Sequence, residues 1–102
     1  MDMGGQKKLE CDEVKFSLHA FEKIRARGIY TDEIEVVLFT GEIIAEYLTD
    51  KPFPSYLLLG FVHKRPIHVV IARDPNTLIC IVVTAYEPDA EKWQADFKKK
   101  KK

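Results

Sequence analysis

Apolar and polar positions follow two rhythms along this chain, and the change between them marks its architecture. Leu18, Phe21 and Ile24 recur three residues apart, which is one stripe of a helix. Ser17 stands where an N-cap belongs and Gly28 where a left-handed stop belongs, so a helix over Leu18–Arg27 is predicted, with that stripe facing a core. Thr31 is the next N-cap, followed by Asp32, Glu33 and Glu35, whose charges suit the positive end of a helix dipole. Ile34, Val36, Val37, Leu38 and Phe39 wrap most of this second helix, which predicts deep burial, and Gly41 closes it. Only Gly28–Thr31 separates the two helices, so they form an αα-hairpin.

Beyond Gly41 the spacing becomes that of strands. Ile43–Leu48 reads as one, and the two prolines of Asp50–Pro54 mark a loop. Tyr56–Val62, Ile67–Arg73 and Leu78–Tyr86 read as three more, separated by turns at Lys64-Arg65-Pro66 and Asp74–Thr77. Val14 and Phe16 alternate with charges and suggest a short edge strand before the helices. Pro88-Asp89 opens a terminal helix carrying Trp93 and Phe97, with Trp93 as an anchor against the sheet. Short connections make successive strands antiparallel neighbours. The expected fold is α+β: an antiparallel sheet of three to four strands, an N-terminal αα-hairpin on one face, and a C-terminal helix. The strands are apolar on both faces, so the face away from the helices needs a cover, either the terminal helix or a partner chain.

Composition changes this picture in three places. The 102 residues suffice for one domain, here residues 1–97, with 1–12 expected to be disordered. The formal charge of +0 conceals five terminal lysines, 98–102, expected to be a disordered tail; residues 1–97 hold 11 Lys+Arg against 16 Asp+Glu, a net −5. An acidic body disfavours a broad nucleic-acid surface, and the lysine run is a solvated tail, an electrostatic hook or an appended tag. Cys11 and Cys80 are far apart in sequence and offer neither metal-ligand spacing nor a CxxC pair. Cys80 lies in an apolar run and reads as a core residue in a reducing compartment. No apolar run is long enough to span a membrane and Met1–Lys8 is polar, so the expectation is a cytoplasmic protein without a membrane partner.

Several residues carry candidate chemistry. His19, Lys23 and Arg27 are spaced i, i+4, i+8, an imidazole and two cations along about 12 Å of helix. Such a line would hold a phosphate backbone with the histidine as acid or base; the plainer reading is a solvated helix face. His68 in mid-strand is either a general acid or base on the open sheet face or a hydrogen-bonded, half-buried residue. Tyr86, at the end of the last strand, is a proton donor or a packed aromatic. Whether His68 and Tyr86 share a face depends on a register that one residue of slip reverses. Arg65 and Arg73 flank turns and read first as ordinary loop positions, with phosphate contact as the alternative. No phosphate loop or zinc spacing is present, so no cofactor and no metal are implied.

The stretch Ser17–Ile29, with His19-Ala20 and Arg27-Gly28-Ile29, resembles the opening motif of an uncharacterised prokaryotic family, domain of unknown function 4258. Gly41-Glu42-Ile43-Ile44, Arg65-Pro66-Ile67-His68-Val69-Val70 and Thr84-Ala85-Tyr86-Glu87-Pro88 continue the resemblance in order. Lys23 and Ile24 stand where the family pattern has arginine and methionine; lysine keeps the charge and loses the planar fork. The element order is more distantly similar to RelE-like and BrnT-like toxins, which implies a small ribonuclease in a toxin–antitoxin setting.

Two functional expectations follow. In the first, the domain cleaves RNA without a metal. His19 or His68 is the base, His68 or Tyr86 the acid, Lys23 and Arg27 steady the phosphate with Arg65 and Arg73 beside them, and a small antitoxin protein is the partner. In the second, it is a non-catalytic interaction or homodimerising domain. A cleft joining His19, Arg27 and His68 favours the first; scattering of these residues with an apolar patch left open favours the second.

Overall fold

The computed structural model describes residues 9–102. Seven elements follow in order: β1 (Glu13–Phe16), α1 (Leu18–Ala26), α2 (Thr31–Thr40), β2 (Glu42–Tyr47), β3 (Ser55–Val62), β4 (Arg65–Arg73) and β5 (Ile79–Tyr86). The strands make one sheet in the order β1-β5-β4-β3-β2. β2 to β5 form the expected antiparallel meander, and β1 lies parallel against β5. The class is α+β, but the sheet is mixed and five-stranded rather than antiparallel and three- to four-stranded. The short-connection rule governs only strands adjacent in sequence, and both helices and three strands intervene between β1 and β5.

The expected C-terminal helix is absent, and residues 88–102 carry no helix. Asp89 and Asp96 turn their carboxylates onto the amides two residues ahead, Glu91 and Lys98, at 2.8 and 3.0 Å. Such local bonds compete with a helix. Phe97 adopts φ 59°, and the segment doubles back so that Gln94 donates to the Lys99 carbonyl and Lys101 to the Lys92 carbonyl. The expectation of disorder for 1–12 falls partly on residues 1–8, outside the described residues.

The helix ends follow their cap chemistry. Ser17 Oγ accepts the Ala20 N–H at 3.0 Å, and Gly28 takes φ 76°. Tyr30, not Thr31, is the N-cap of α2, and the Glu33 carboxylate accepts its N–H at 2.9 Å. The buried stripes are narrower than periodicity suggests. α1 buries Ala20 and Ile24 and leaves Leu18 73% exposed, because it rests on β5 near the sheet edge. α2 buries Ile34 and Val37 but exposes Val36 and, at 77%, Phe39. Both helices pack on the face carrying Leu58, Ile67, Val69, Ile71, Val82 and Ala85. Gly60 permits that contact: a Cβ there would lie 3.0 Å from the Val37 Cα.

Two features settle what the sequence left open. The β4–β5 register runs Ile71↔Val82 and then Val70↔Thr84, so Val83 is an extra residue, a β-bulge. Beyond it His68 stands directly opposite Tyr86; without the extra residue His68 would have met Ala85. The second is a disulfide between Cys11 and Cys80. Cys80 is a core residue, as its apolar context suggests, but the pairing overturns the reading of two isolated thiols. β1 brings distant chain beside β5, Val14 opposite Cys80, and so juxtaposes the sulfurs.

Candidate functional site

The sheet face away from the helices carries Leu57, Leu59, His68, Val70, Ala72, Ile81, Thr84 and Tyr86, by cross-strand pairing. Glu42 of β2 pairs with Leu59 and so joins this face. The C-terminal segment covers one half of it. His68 is 0% exposed. The Trp93 ring stands edge-on to its imidazole at 4.5 Å between centroids, and the Tyr86 ring at 5.3 Å. His68 Nε2 lies 2.8 Å from the Phe97 carbonyl oxygen and Nδ1 3.3 Å from the Tyr86 hydroxyl. A carbonyl only accepts, so Nε2 carries the proton, and Nδ1 of the neutral ring accepts from Tyr86. Burial lowers the His68 pKa below its ordinary 6.5, against the raising effect of the Phe97 carbonyl. Burial likewise raises the Tyr86 pKa above 10, helped by nearby Tyr47. Lys98 closes the edge with an ion pair to Glu42 at 3.1 Å, and Lys100 lies over the Trp93 ring.

The other half of this face is open. Val70, Ala72, Ile81 and Val83 form the floor of a groove of about 300 Å³ that is lined also by Asp50, Lys51, Pro52, Phe53 and the buried Ser55. Ser55 Oγ donates to the Asp50 carboxylate, and Val83, lifted by the bulge, is 50% exposed.

The remaining expected site residues lie elsewhere. His19 and Lys23 are exposed on α1, across the sheet from His68. Arg27 reaches the part of β5 beyond the end of β1, donating to Thr84 Oγ1 at 2.9 Å and the Ala85 carbonyl at 3.0 Å. Arg65 ties the Glu87 carboxylate, the Gly28 carbonyl and Glu33 together. Arg73 donates to the Glu10 carbonyl at 2.7 Å. These three guanidiniums brace the fold, and no cleft joins His19, Arg27 and His68. The structure brings together only His68 and Tyr86 of the expected set. Sequence reading passed over Glu42, the Phe97 carbonyl and the groove residues. An apolar second face was the one signal for the groove, and backbone carbonyls leave none. Among the described residues no three His, Cys, Asp or Glu side chains converge to hold a metal, and no helix is long and apolar enough to cross a membrane.

No curated protein and no solved structure matches the chain, so the likeness to RelE-like and BrnT-like toxins gains no support from relatives. A family model described as "Domain of unknown function (DUF4258)" does match, over residues 16–87. That span runs from the end of β1 to the residue after β5; it includes His68, Tyr86 and the floor of the groove but neither Cys11 nor the segment that covers His68. The chain belongs to the DUF4258 family.

Proposed function

We propose that this chain is a non-catalytic protein-interaction domain that receives one apolar segment of a small partner protein on the open half of its second sheet face. The observation that carries this reading is the division of that face. The chain's own Trp93 segment covers the His68 half, and the half built from Val70, Ala72, Ile81 and Val83 stays open. The floor spans two strands, β4 and β5, and about three residues of each, roughly 100 Å² from ordinary strand spacing and rise. A homodimer of standard size needs about 800 Å² from each copy, so the groove suits a single strand or helical turn rather than a second sheet. RNA suits it less, because the floor is apolar and residues 1–97 are acidic. An antitoxin-like small protein is the partner that the likeness to RelE-like and BrnT-like toxins implies, and an apolar segment of such a protein fits the groove.

The ribonuclease reading asks for His19, Lys23, Arg27 and His68 around one phosphate. His19 and Lys23 stand across the sheet from His68, Arg27 is taken up by the Thr84 hydroxyl and the Ala85 carbonyl, and both nitrogens of His68 are engaged inside the protein.

A photo-crosslinking residue placed at Val83 of the intact chain in bacteria tests the proposal. The expected result is one discrete adduct to a small protein, joined through an apolar segment and lost when Ala72→Arg blocks the floor. No adduct, or an adduct between two copies of this chain, overturns the reading. RNA cleavage on induction that His68→Ala abolishes does so in favour of the enzyme.

A further inference from the structure

We infer that the Cys11–Cys80 disulfide is a redox latch that holds β1 on the edge of β5, and that its reduction releases β1 and opens that edge without unfolding the domain. β1 is the least secured strand. It is four residues long, three of them exposed, and it pairs on one side only. Apart from its ladder, the described residues of this end are held by Asp12 N–H on the Leu78 carbonyl, Arg73 on the Glu10 carbonyl, the packing of Leu9, Cys11 and Phe16 against the core, and the disulfide. The family match begins at residue 16 and so leaves out Glu13–Lys15 of β1. The core, from Ala20 through Ala85, joins both helices to β3, β4 and β5.

The two sulfurs differ in access. Cys11 is partly buried and Cys80 is 0% exposed. A dithiol reductant therefore attacks Cys11 Sγ, breaking the S–S bond, and Cys80 leaves as a thiolate that takes up a proton. The second thiol of the reductant then attacks the mixed disulfide and frees Cys11. The protein ends with two thiols and the reductant with one disulfide, two electrons and two protons having moved to the protein.

With β1 gone, Ile79–Val82 present an unpaired row of backbone groups on a β-branched strand. Such an edge is a template for an added strand. β1 shows what that edge accepts: a parallel segment with Val14 opposite Cys80 and Phe16 opposite Val82 on the core side, and Glu13 and Lys15 on the other. This edge is separate from the groove proposed above.

The test uses the full chain, air-oxidised and then treated with dithiothreitol. Iodoacetamide labelling is followed at each cysteine, and amide exchange along the whole chain. The expected result in reductant is Cys80 labelling within about tenfold of Cys11, with faster exchange at residues 12–16 and 79–82 and unchanged protection in α2 and β3. Cys80 labelling more than about 100-fold slower than Cys11 would mean that β1 stays docked, and overturns the latch. Loss of protection throughout would make the bond a staple of the whole fold, and two free thiols in the air-oxidised chain would remove the latch altogether. Cys11→Ala should reproduce the reduced exchange pattern with no added reductant and no further response to it.

Discussion

Replacing Gly60 with alanine should test how closely α2 lies on the sheet. The new Cβ would sit 2.9 Å from Val37 Cγ2, 3.0 Å from its Cα and 3.1 Å from its Cβ. Carbon atoms in good contact stand about 3.5–4.0 Å apart, so each approach is short by roughly 0.5–1 Å. Turning the Val37 side chain relieves the Cγ2 contact but not the other two, and the helix backbone must move. Val37 is 0% exposed and lies between the helix and β3, so the movement disturbs a packed core. Overpacking of this kind costs about 1–3 kcal/mol, reduced by about 0.5–1 kcal/mol because alanine suits a strand better than glycine. A net loss centred on about 1 kcal/mol, within a range of about 0–2.5 kcal/mol, should appear as a lower urea midpoint at unchanged slope. The double variant with Val37→Ala removes both γ-carbons, and should be less destabilised than the two single variants added together. A stabilising Gly60→Ala would refute the close approach, and with it the placement of α2 over β3.

Because His68 has its pKa lowered by burial, the unfolded chain takes up a proton below pH 6.5 that the folded chain resists. Stability should therefore fall as pH drops from about 6.5, by at most about 1.4 kcal/mol per unit for this one proton, and His68→Gln should flatten that part of a urea-midpoint profile. Ser17→Ala removes the acceptor for the Ala20 N–H and should cost about 1 kcal/mol in the same assay; no change would mean that the cap is not formed. Arg27→Met keeps the aliphatic stem but strips two hydrogen bonds from the free end of β5, and should cost about 1 kcal/mol while speeding exchange of the Thr84–Tyr86 amides.

The helices and the meander were legible because local chemistry marks their ends. Ser17 and Gly28 bracket α1, Gly41 follows α2, and the Asp74–Thr77 turn separates β4 from β5. What escaped was set by tertiary contact. Leu18 and Phe39 look like core residues at helical spacing, yet each helix rests on the sheet through a narrow strip, Ala20 with Ile24 and Ile34 with Val37. The parallel pairing of β1 depends on five intervening elements, and no local residue announces it. The same contact brings Cys11 to Cys80. Trp93 was recognisable as an anchor on the sheet, but its helix was not to be: Asp89 and Asp96 bind their own backbone, and lysines follow. For the site, His68 and Tyr86 were identifiable as residues while their pairing was not. It hangs on one bulged valine among three adjacent β-branched residues, Val82-Val83-Thr84, where the pattern of side chains gives no sign of an insertion.

Trp93 is the sole tryptophan of the chain, and its ring stands against the His68 imidazole. The indole emission of the whole protein therefore arises from one ring on one segment, beside a group that quenches when it is protonated. Its wavelength and intensity report whether residues 88–101 lie on the sheet, so the segment carries its own optical label.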